Sequence, residues 1–173
     1  GIEYLNETEE LGFDPDDIAK RFTFFFNVST NVFEEVAKIR AARRIWADEL
    51  VERFDVSPEN AKLRFHAQSD GADLTRARPK NNISRVAIQT LTAVLAGTQS
   101  LHTDAYDEPF KAPSEESATI AMDTQNIVLE ETDVADVIDP LGGSYFVESL
   151  TDEMEALIRD YLETVDEYGG YYD

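Results

Sequence analysis

The sequence predicts an α/β fold in which parallel strands alternate with helices, and three observations support this. A strand over Lys62–Gln68 alternates between apolar and polar side chains and ends in the turn Ser69-Asp70-Gly71. A second strand, Arg21–Val28, is rich in aromatic residues and shows a similar split. Strand-then-helix units follow one another at intervals of roughly 35–50 residues, which is the rhythm of a (β/α) barrel or a doubly wound sheet.

The two faces of Lys62–Gln68 differ because successive side chains of a strand point to opposite sides of a sheet. Apolar Leu63, Phe65 and Ala67 share one face, and polar Arg64, His66 and Gln68 share the other. His66 and Gln68 lie at the carboxyl end of the strand, where α/β folds bind ligands. We expect this polar face to look into a site. The alternative is a structural role for His66, which is the commoner use of a lone strand histidine.

The segment before this strand begins with a capped helix. Asp14 is a typical N-cap, Pro15 suits the first helical position, and the helix is expected to end near Lys20. The strand Arg21–Val28 then places Phe22, Phe24 and Phe26 on one side and Arg21, Thr23 and Phe25 on the other. Arg21 and Thr23 could form a salt bridge and a packing hydroxyl. The planar fork of Arg21 equally suits a carboxylate or phosphate.

Apolar residues at steps of three and four predict two long helices, Val32–Phe54 and Asn82–Ala96, and Gly97 ends the second. The third strand, Thr98–Thr103, is unusually polar for a buried strand. Barrel interiors are normally filled by Val, Ile and Leu, so small hydroxyls there would leave room for a long ligand.

Ser114 predicts the N-cap of a helix that runs to about Glu131. Between the third strand and this helix, His102 and Glu108 could be imagined as an acid/base pair. Nothing in the spacing sets the distance between them, so the hypothesis is weak.

The last part of the chain changes character after Asp133. A turn over Asp139–Gly143 precedes a predicted short strand, Ser144–Val147, and an amphipathic helix, Thr151–Tyr168, that ends at Gly169-Gly170. An eight-unit barrel needs about 250 residues, so a chain of 173 residues holds under half of one. Three strands leave two open sheet edges, and we expect the chain not to fold stably alone.

The chain is strongly acidic, with 36 Asp and Glu, 15 Lys and Arg, and a net charge of −21. Such a field argues against nucleic acid and anionic membranes as partners. The acidity is either a surface for a basic partner or an adaptation to high salt, and because the acidic residues are spread along the chain and do not cluster, a halophilic protein is favoured. No cysteine is present, and the two histidines show no metal-ligand spacing. No signal peptide or long apolar run is seen, so a cytoplasmic location is expected.

Four segments carry a family resemblance: RFTFFFNVSTNVFEEVAKIRAARRIWA, RFHAQSDGADLT, PKNNISRVAIQTLTAVLAGTQSLHTDAYDEPF and DPLGGSYFVE. Together they resemble the substrate-binding barrel of the methylmalonyl-CoA mutase large chain. The resemblance runs from about Gly1 to Gly170. It implies a partial TIM (β/α)8 barrel, about the last three βα units, over residues 1–133. Residues 134–173 would be the start of a post-barrel linker.

The resemblance implies an adenosylcobalamin-dependent isomerase that interconverts methylmalonyl-CoA and succinyl-CoA by a radical carbon-skeleton rearrangement. It implies a substrate path lined by Arg21, Thr23, Phe25, His66, Gln68, Gln99 and Ser100. It implies that Gly71, Glu108 and Pro109 approach the corrin ring. The DxHxxG motif whose histidine ligates cobalt is absent from the 173 residues, so a domain outside this chain would supply the ligand.

Two departures from the family pattern concern the same loop. Ala72 follows Gly71 where relatives usually carry an aromatic residue, and Arg76–Lys80 is more basic than usual. The family's substrate-discriminating tyrosine and arginine, and its histidine on the thioester carbonyl, belong to an earlier part of the barrel. We therefore expect no catalytic residue and no metal ligand in this chain, and no activity of the chain alone.

Three hypotheses about the function remain open at this point. The chain is a fragment of methylmalonyl-CoA mutase that acts with acyl-CoA, the rest of the barrel and a cobalamin-binding domain or subunit. In the second hypothesis, the chain is part of a sister acyl-CoA mutase of the isobutyryl-CoA type. In the third hypothesis, the chain is a non-catalytic remnant that binds a partner mutase chain.

Overall fold

The computed structural model describes residues 1–170 of the 173. The last three residues of the predicted linker, and of the terminal sequence GGYYD, lie outside the described residues. Six α-helices and three β-strands alternate along the described chain: α1 Ile2–Glu10, α2 Pro15–Ala19, β1 Phe24–Val28, α3 Val32–Phe54, β2 Phe65–Ser69, α4 Asn81–Leu95, β3 Ser100–His102, α5 Glu115–Glu130 and α6 Tyr145–Glu167. A 3₁₀ turn, Gly71–Asp73, follows β2.

The three strands form one sheet in the order β1-β2-β3. β2 and β3 are parallel, with Ala67 opposite Leu101. Backbone hydrogen bonds join Phe24 N to Arg64 O at the start of β1 and Asp70 N to Val28 O at its end. These two bonds run in the same chain direction, so β1 is also parallel to β2. The structure therefore confirms a mixed α/β chain with a three-stranded parallel sheet.

Several element bounds were predicted correctly because local capping determines them. Asp14 accepts a hydrogen bond from Asp16 N at the start of α2. Ser114 and Ser117 cap α5 reciprocally. The helix α3 spans the residues predicted for it. The strands are shorter than predicted, since β1 begins at Phe24 and β3 covers Ser100–His102 alone.

The predicted strand Ser144–Val147 is wrong, because α6 begins at Tyr145. The aromatic and β-branched residues of Ser-Tyr-Phe-Val suggest a strand by composition. In the structure Val147 and Thr151 are both fully covered, one helical turn apart, and Phe146 packs edge-to-face on Phe33 with ring centroids 5.3 Å apart. Tertiary packing therefore overrides the local preference. The opening helix α1 was not predicted either.

The chain forms two compact units. The first contains residues 1–24, 37–64 and the described residues from 148 onward. Its core holds Ile39, Leu50 and Trp46, and the Trp46 ring meets the rings of Phe22 and Phe24 at centroid distances of 5.6 and 4.8 Å. Within residues 1–170, no helix is long and apolar enough to cross a bilayer.

An ion-pair ladder joins α3 to α6 inside the first unit. Arg44 contacts Glu148, Asp152 and Glu155 at 3.2, 2.7 and 3.5 Å. Arg159 extends from α6 back to Asp48 on α3 at 2.6 Å. Additional rungs are Arg40 with Glu148 and Arg53 with Asp166, at 2.7 and 2.6 Å.

The second unit contains residues 25–36 and 65–147. It includes every strand residue of the sheet except Phe24. Its buried apolar residues come from β2 and from α4 and α5, and include Phe65, Ala67, Val86, Ala93 and Val128. Gln89 on α4 donates to the Asp70 carbonyl at 3.0 Å and to Asp73 Oδ2 at 3.0 Å. The helix α4 thereby holds the loop that follows β2.

Candidate functional site

Four polar side chains share one face of β2 and β3 in the second unit. The parallel register places His66 opposite Ser100 and Gln68 opposite His102. Along β2, Phe65, Ala67 and Ser69 are buried while His66 and Gln68 are partly exposed. The predicted alternation is therefore confirmed for this strand. We refer to His66, Gln68, Ser100 and His102 as the polar strand face.

His66 is held from two sides. Its Nδ1 lies 2.7 Å from Ser100 Oγ, within hydrogen-bond distance. The ring of Phe25 lies against the imidazole with a centroid distance of 5.1 Å. Phe25 itself is 59 % exposed, so it covers the histidine with one edge and offers apolar area to a ligand with the rest. Since Ser100 engages Nδ1, Nε2 remains the ring nitrogen that could meet a ligand.

Asp104 anchors the other end of the polar strand face. Its backbone N–H donates to Ser69 Oγ at 2.7 Å, and its Oδ1 accepts from Gln68 Nε2 at 3.1 Å. His102 Nε2 lies 3.7 Å from the same Oδ1. The residue is only 3 % exposed, and Oδ2 has no hydrogen-bond partner among the described residues. Burial raises the pKa of the Asp104 carboxyl, against the hydrogen bonds from Ser69 and Gln68 that lower it.

The loop after β2 brings Gly71 close to this carboxyl. A Cβ placed on Gly71 would lie 3.7 Å from Asp104 Oδ2 and 3.9 Å from Glu108 Cγ. A side chain larger than a methyl group would therefore fill the space between the two acids. Arg76 donates from Nε to the Pro109 carbonyl at 3.0 Å, which ties the same loop to the Glu108-Pro109 turn.

Gln99 does not join the polar strand face. Its Oε1 accepts from the Phe65 backbone N–H at 2.8 Å, and its Nε2 donates to the Gly97 carbonyl at 3.2 Å. The side chain thus satisfies backbone groups at the start of β2. Ser100, the next residue, turns to the opposite side and meets His66.

Two further predicted site residues, Arg21 and Thr23, lie in the first unit. Arg21 is exposed in the turn after α2, and its backbone N–H donates to the Ile18 carbonyl at 2.9 Å. Thr23 is exposed immediately before β1. The predicted strand Arg21–Val28 therefore begins too early for both residues.

Sequence reasoning missed two members of the site, His102 and Asp104. His102 was weighed only with Glu108, although period-two alternation from Ser100 would have placed it beside Gln68. Asp104 follows the predicted third strand and was not considered a site residue. Its burial depends on the packing of β3 against the end of β2, which no local pattern reveals.

Two chemistries can be compared with this arrangement. Within residues 1–170, no group of three or more His, Asp or Glu side chains is placed to hold a metal ion. The polar strand face instead offers an imidazole, a hydroxyl and a carboxamide, which bind carbonyl, amide and hydroxyl groups of a ligand. Gly71 is partly exposed and has no side chain, so a ligand could approach its backbone closely.

Comparison with known proteins places these features in a family context. The family model described as methylmalonyl-CoA mutase matches residues 1–173. The 2-hydroxyisobutanoyl-CoA mutase large subunit of Aquincola tertiaricarbonis is 49 % identical over 98 % of this chain. The methylmalonyl-CoA mutases of Escherichia coli K12 and Mus musculus are each 42 % identical, again over 98 % of the chain. The chain spans 30 %, 24 % and 23 % of the lengths of these three relatives.

Proposed function

The chain belongs to the methylmalonyl-CoA mutase family, and we propose that it forms the later part of the acyl-CoA-binding barrel of an adenosylcobalamin-dependent acyl-CoA mutase. The whole enzyme would isomerise methylmalonyl-CoA and succinyl-CoA by a radical carbon-skeleton rearrangement. The relatives are three to four times longer than this chain, so the rest of the barrel and a cobalamin-binding domain or subunit are its proposed partners.

The sheet supports the barrel proposal. Its strand order β1-β2-β3 follows the chain, β2 and β3 are parallel, and a helix connects each strand to the next. Sequential parallel strands joined by helices are the repeating unit of the (β/α)8 barrel. We assign residues 1–133 to the last three units of that barrel and residues 134–173 to the linker that follows it.

The polar strand face is the observation that carries the substrate proposal. Barrel interiors are usually filled by branched apolar side chains, whereas here His66, Gln68 and Ser100 lie side by side. They would bind the polar arm and thioester end of an acyl-CoA. Phe25 would contact its apolar parts, and the family resemblance also assigns Arg21 and Thr23 of the first unit to its polar groups. Gln99 would contribute indirectly, by accepting a hydrogen bond from the Phe65 backbone N–H and so positioning the start of β2.

The cofactor proposal rests on the space at Gly71. Gly71, Glu108 and Pro109 would hold the corrin edge, since a side chain at Gly71 would meet Asp104 and Glu108. Adenosylcobalamin, when bound, supplies the radical that starts the rearrangement. The chain's own residues would bind and orient the acyl-CoA and exclude water from it. No residue of this chain is assigned a proton-transfer role, and we propose that the chain alone is inactive.

One comparison favours a second candidate function. The relative named 2-hydroxyisobutanoyl-CoA mutase large subunit is 49 % identical, against 42–45 % for the proteins named methylmalonyl-CoA mutase that were compared. A sister mutase acting on another branched acyl-CoA is therefore the alternative. The residues that would separate the two substrates are proposed to lie outside this chain.

The test uses the whole enzyme that contains this chain, with its cobalamin-binding part. Turnover is measured with methylmalonyl-CoA, isobutyryl-CoA and 2-hydroxyisobutanoyl-CoA, each with adenosylcobalamin. Product from methylmalonyl-CoA supports the first candidate, and product from either other substrate alone supports the second. A complete enzyme that isomerises none of them contradicts both and favours the non-catalytic remnant.

A variant pair tests the site assignment in the same enzyme. His66→Ala should raise KM for the acyl-CoA about tenfold, because it removes a contact of about 1.4 kcal/mol. Lys62→Gln is the matched control, since Lys62 is exposed just before β2. Equal KM values for His66→Ala and the control would reject the substrate-binding role of the polar strand face.

A further inference from the structure

A stretch of this acidic chain carries the opposite charge. Between Leu74 and Thr103 there is no Asp or Glu, although the whole chain has 36 of them. Four of the 15 Lys and Arg residues fall in the first part of that stretch. We refer to these four residues as the basic segment: Arg76, Arg78, Lys80 and Arg85.

The basic segment has no counter-charge of its own. Arg76, Arg78 and Lys80 are exposed, and none of the four cations is within ion-pair distance of a carboxylate in residues 1–170. Arg76 uses Nε to bond the Pro109 carbonyl at 3.0 Å, and its two terminal nitrogens make no hydrogen bond or ion pair within residues 1–170. Elsewhere in the chain, the ion-pair ladder shows that arginines readily find acids.

The placement of these cations is locally unfavourable. Lys80 is the N-cap of α4, makes no side-chain capping bond, and is followed by a first turn without any acid. The other five α-helices within residues 1–170 each carry an acid in the first turn. A helix N-terminus has a positive partial charge, so cations beside it are destabilising unless an anion faces them. The fold by itself does not explain why this helix start is basic.

The basic segment is placed beside the proposed cofactor-facing loop. Its first residues follow the turn Gly71–Asp73, and Arg76 is bonded to the same Pro109 that closes the Glu108 turn. Both features follow the carboxyl ends of parallel strands, the edge where barrel enzymes build their sites. A surface next to the site is therefore positive on an otherwise negative chain.

We propose that the basic segment is a docking surface for an acidic protein surface, supplied by the cobalamin-binding domain or subunit of the same enzyme. This inference rests on the proposed function. This chain carries a net charge of −21 and would repel an acidic partner surface over most of its length, whereas a local positive patch would attract that surface at the contact. Guanidinium groups also pair carboxylates with two parallel hydrogen bonds, which orients the partner.

A protein partner fits the geometry better than a small anion or a nucleic acid. Three of the four cations are exposed, whereas a small phosphate is held where charges are partly removed from water. The net charge of −21 opposes a polyanion that would extend beyond the segment. An acidic protein patch of matching size meets neither objection.

The test is zero-length carbodiimide cross-linking of the whole enzyme, read by mass spectrometry. The reagent joins a lysine amine to a carboxylate in direct contact, so it reports on Lys80. Lys62 is the matched control, since it is also exposed and lies outside the segment. We expect Lys80 to be joined to an Asp or Glu of the cobalamin-binding part, with at least fivefold higher yield than Lys62.

A double variant and a salt series sharpen the result. Arg76→Gln/Arg78→Gln should lower the Lys80 yield severalfold, and Lys62→Gln should leave it unchanged. The yield should also fall between about 0.1 and 1 M salt, because exposed charges are then screened over about 3 Å instead of about 10 Å.

Three outcomes overturn the proposal. In the first, Lys80 is cross-linked no more often than Lys62. In the second, Lys80 is cross-linked only to residues of this chain. In the third, an acetylation assay shows that added RNA or coenzyme A protects Lys80 and that the rest of the enzyme does not. Turnover of the wild type is measured in the same preparations. An active enzyme without the Lys80 link rejects the docking surface alone, whereas a linked enzyme without mutase activity rejects the proposed function and keeps the acidic partner.

Discussion

The Oδ1 atom of Asp104 and the side-chain amide nitrogen of Gln68 are joined by a hydrogen bond of 3.1 Å. This bond crosses from the end of β3 to β2 and orients Gln68 on the polar strand face. The carboxyl is buried, and its Oδ2, which has no hydrogen-bond partner among the described residues, would lie 3.7 Å from a Cβ placed on Gly71.

Replacing Asp104 should separate its hydrogen-bonding role from its charge. Asp104→Ala removes the acceptor for Gln68, and we expect hydrogen exchange of residues 65–104 in the whole enzyme to speed up about tenfold, the effect of one buried hydrogen bond. Asp104→Asn keeps an acceptor oxygen without the charge, so it should exchange more slowly than Asp104→Ala and match wild type at low pH, where Asp104 is protonated. If the two variants exchange equally fast, the charge matters more than the bond.

The pH dependence of the same region should follow the raised pKa of Asp104. A carboxyl whose pKa is raised by burial holds its proton more tightly in the folded state, so stability declines as pH rises from its ordinary value of about 3.9 through the folded pKa. The charged groups facing it are His102 and Asp70. We expect the protection of wild type relative to Asp104→Asn to decrease between about pH 4 and 7. A constant difference would show that Asp104 titrates normally.

Ser100 should matter to ligand binding through His66. Ser100→Ala removes the partner of His66 Nδ1, so the imidazole is free to rotate and KM for the acyl-CoA should rise about five- to tenfold. Ser84→Ala, on the exposed side of α4, is the control and should change nothing. An unchanged KM in Ser100→Ala would mean that Phe25 alone orients the ring.

The ion-pair ladder should be measurable in α6. Arg44→Gln removes contacts with Glu148, Asp152 and Glu155, and should lower the local stability of α6 by up to about 1 kcal/mol in hydrogen exchange, since these groups are partly exposed. The loss should shrink in about 1 M salt, because screening weakens the Arg44 ion pairs that only the wild type makes. A loss independent of salt would point to packing of the arginine stem instead.

Asp16 should make the first unit acid-sensitive. Its Oδ1 accepts from Ser57 Oγ at 2.8 Å and Ser57 N at 2.7 Å, and its Oδ2 accepts from Asn60 at 2.7 Å. These bonds, that of the Ser57 hydroxyl first, lower the pKa of Asp16. The stabilisation is therefore present above about pH 4 and is lost as pH falls through the lower folded pKa.

The matching experiment compares Asp16→Asn with Asp17→Asn, whose parent residue forms an exposed ion pair with Lys20. Limited proteolysis near residues 14–60 should be faster in Asp16→Asn at pH 7, and the difference from wild type should disappear at low pH. Faster cleavage of both variants would assign the effect to net charge.

Local chemistry made much of the fold predictable. An N-cap and a proline start α2 at Asp14-Pro15, a serine caps α5, and a continuous apolar stripe defines α3 over its full length. Each of these signals acts within one or two helical turns. The start of α6 was missed because Ser-Tyr-Phe-Val is strand-like by composition, and its helical state depends on Phe33, more than a hundred residues away in sequence.

The sequence by itself determined the alternation of strands and helices, the polar side of β2 and the family to which the chain belongs, because side-chain period and motif are local properties. Only the tertiary structure decided that His102 and Asp104 join that face, that Gln99 turns away from it, and that the arginines of α3 meet acids of α6. The physical reason is that register and helix packing bring together residues far apart in the chain, and burial, which raises the pKa of Asp104, exists only after they meet.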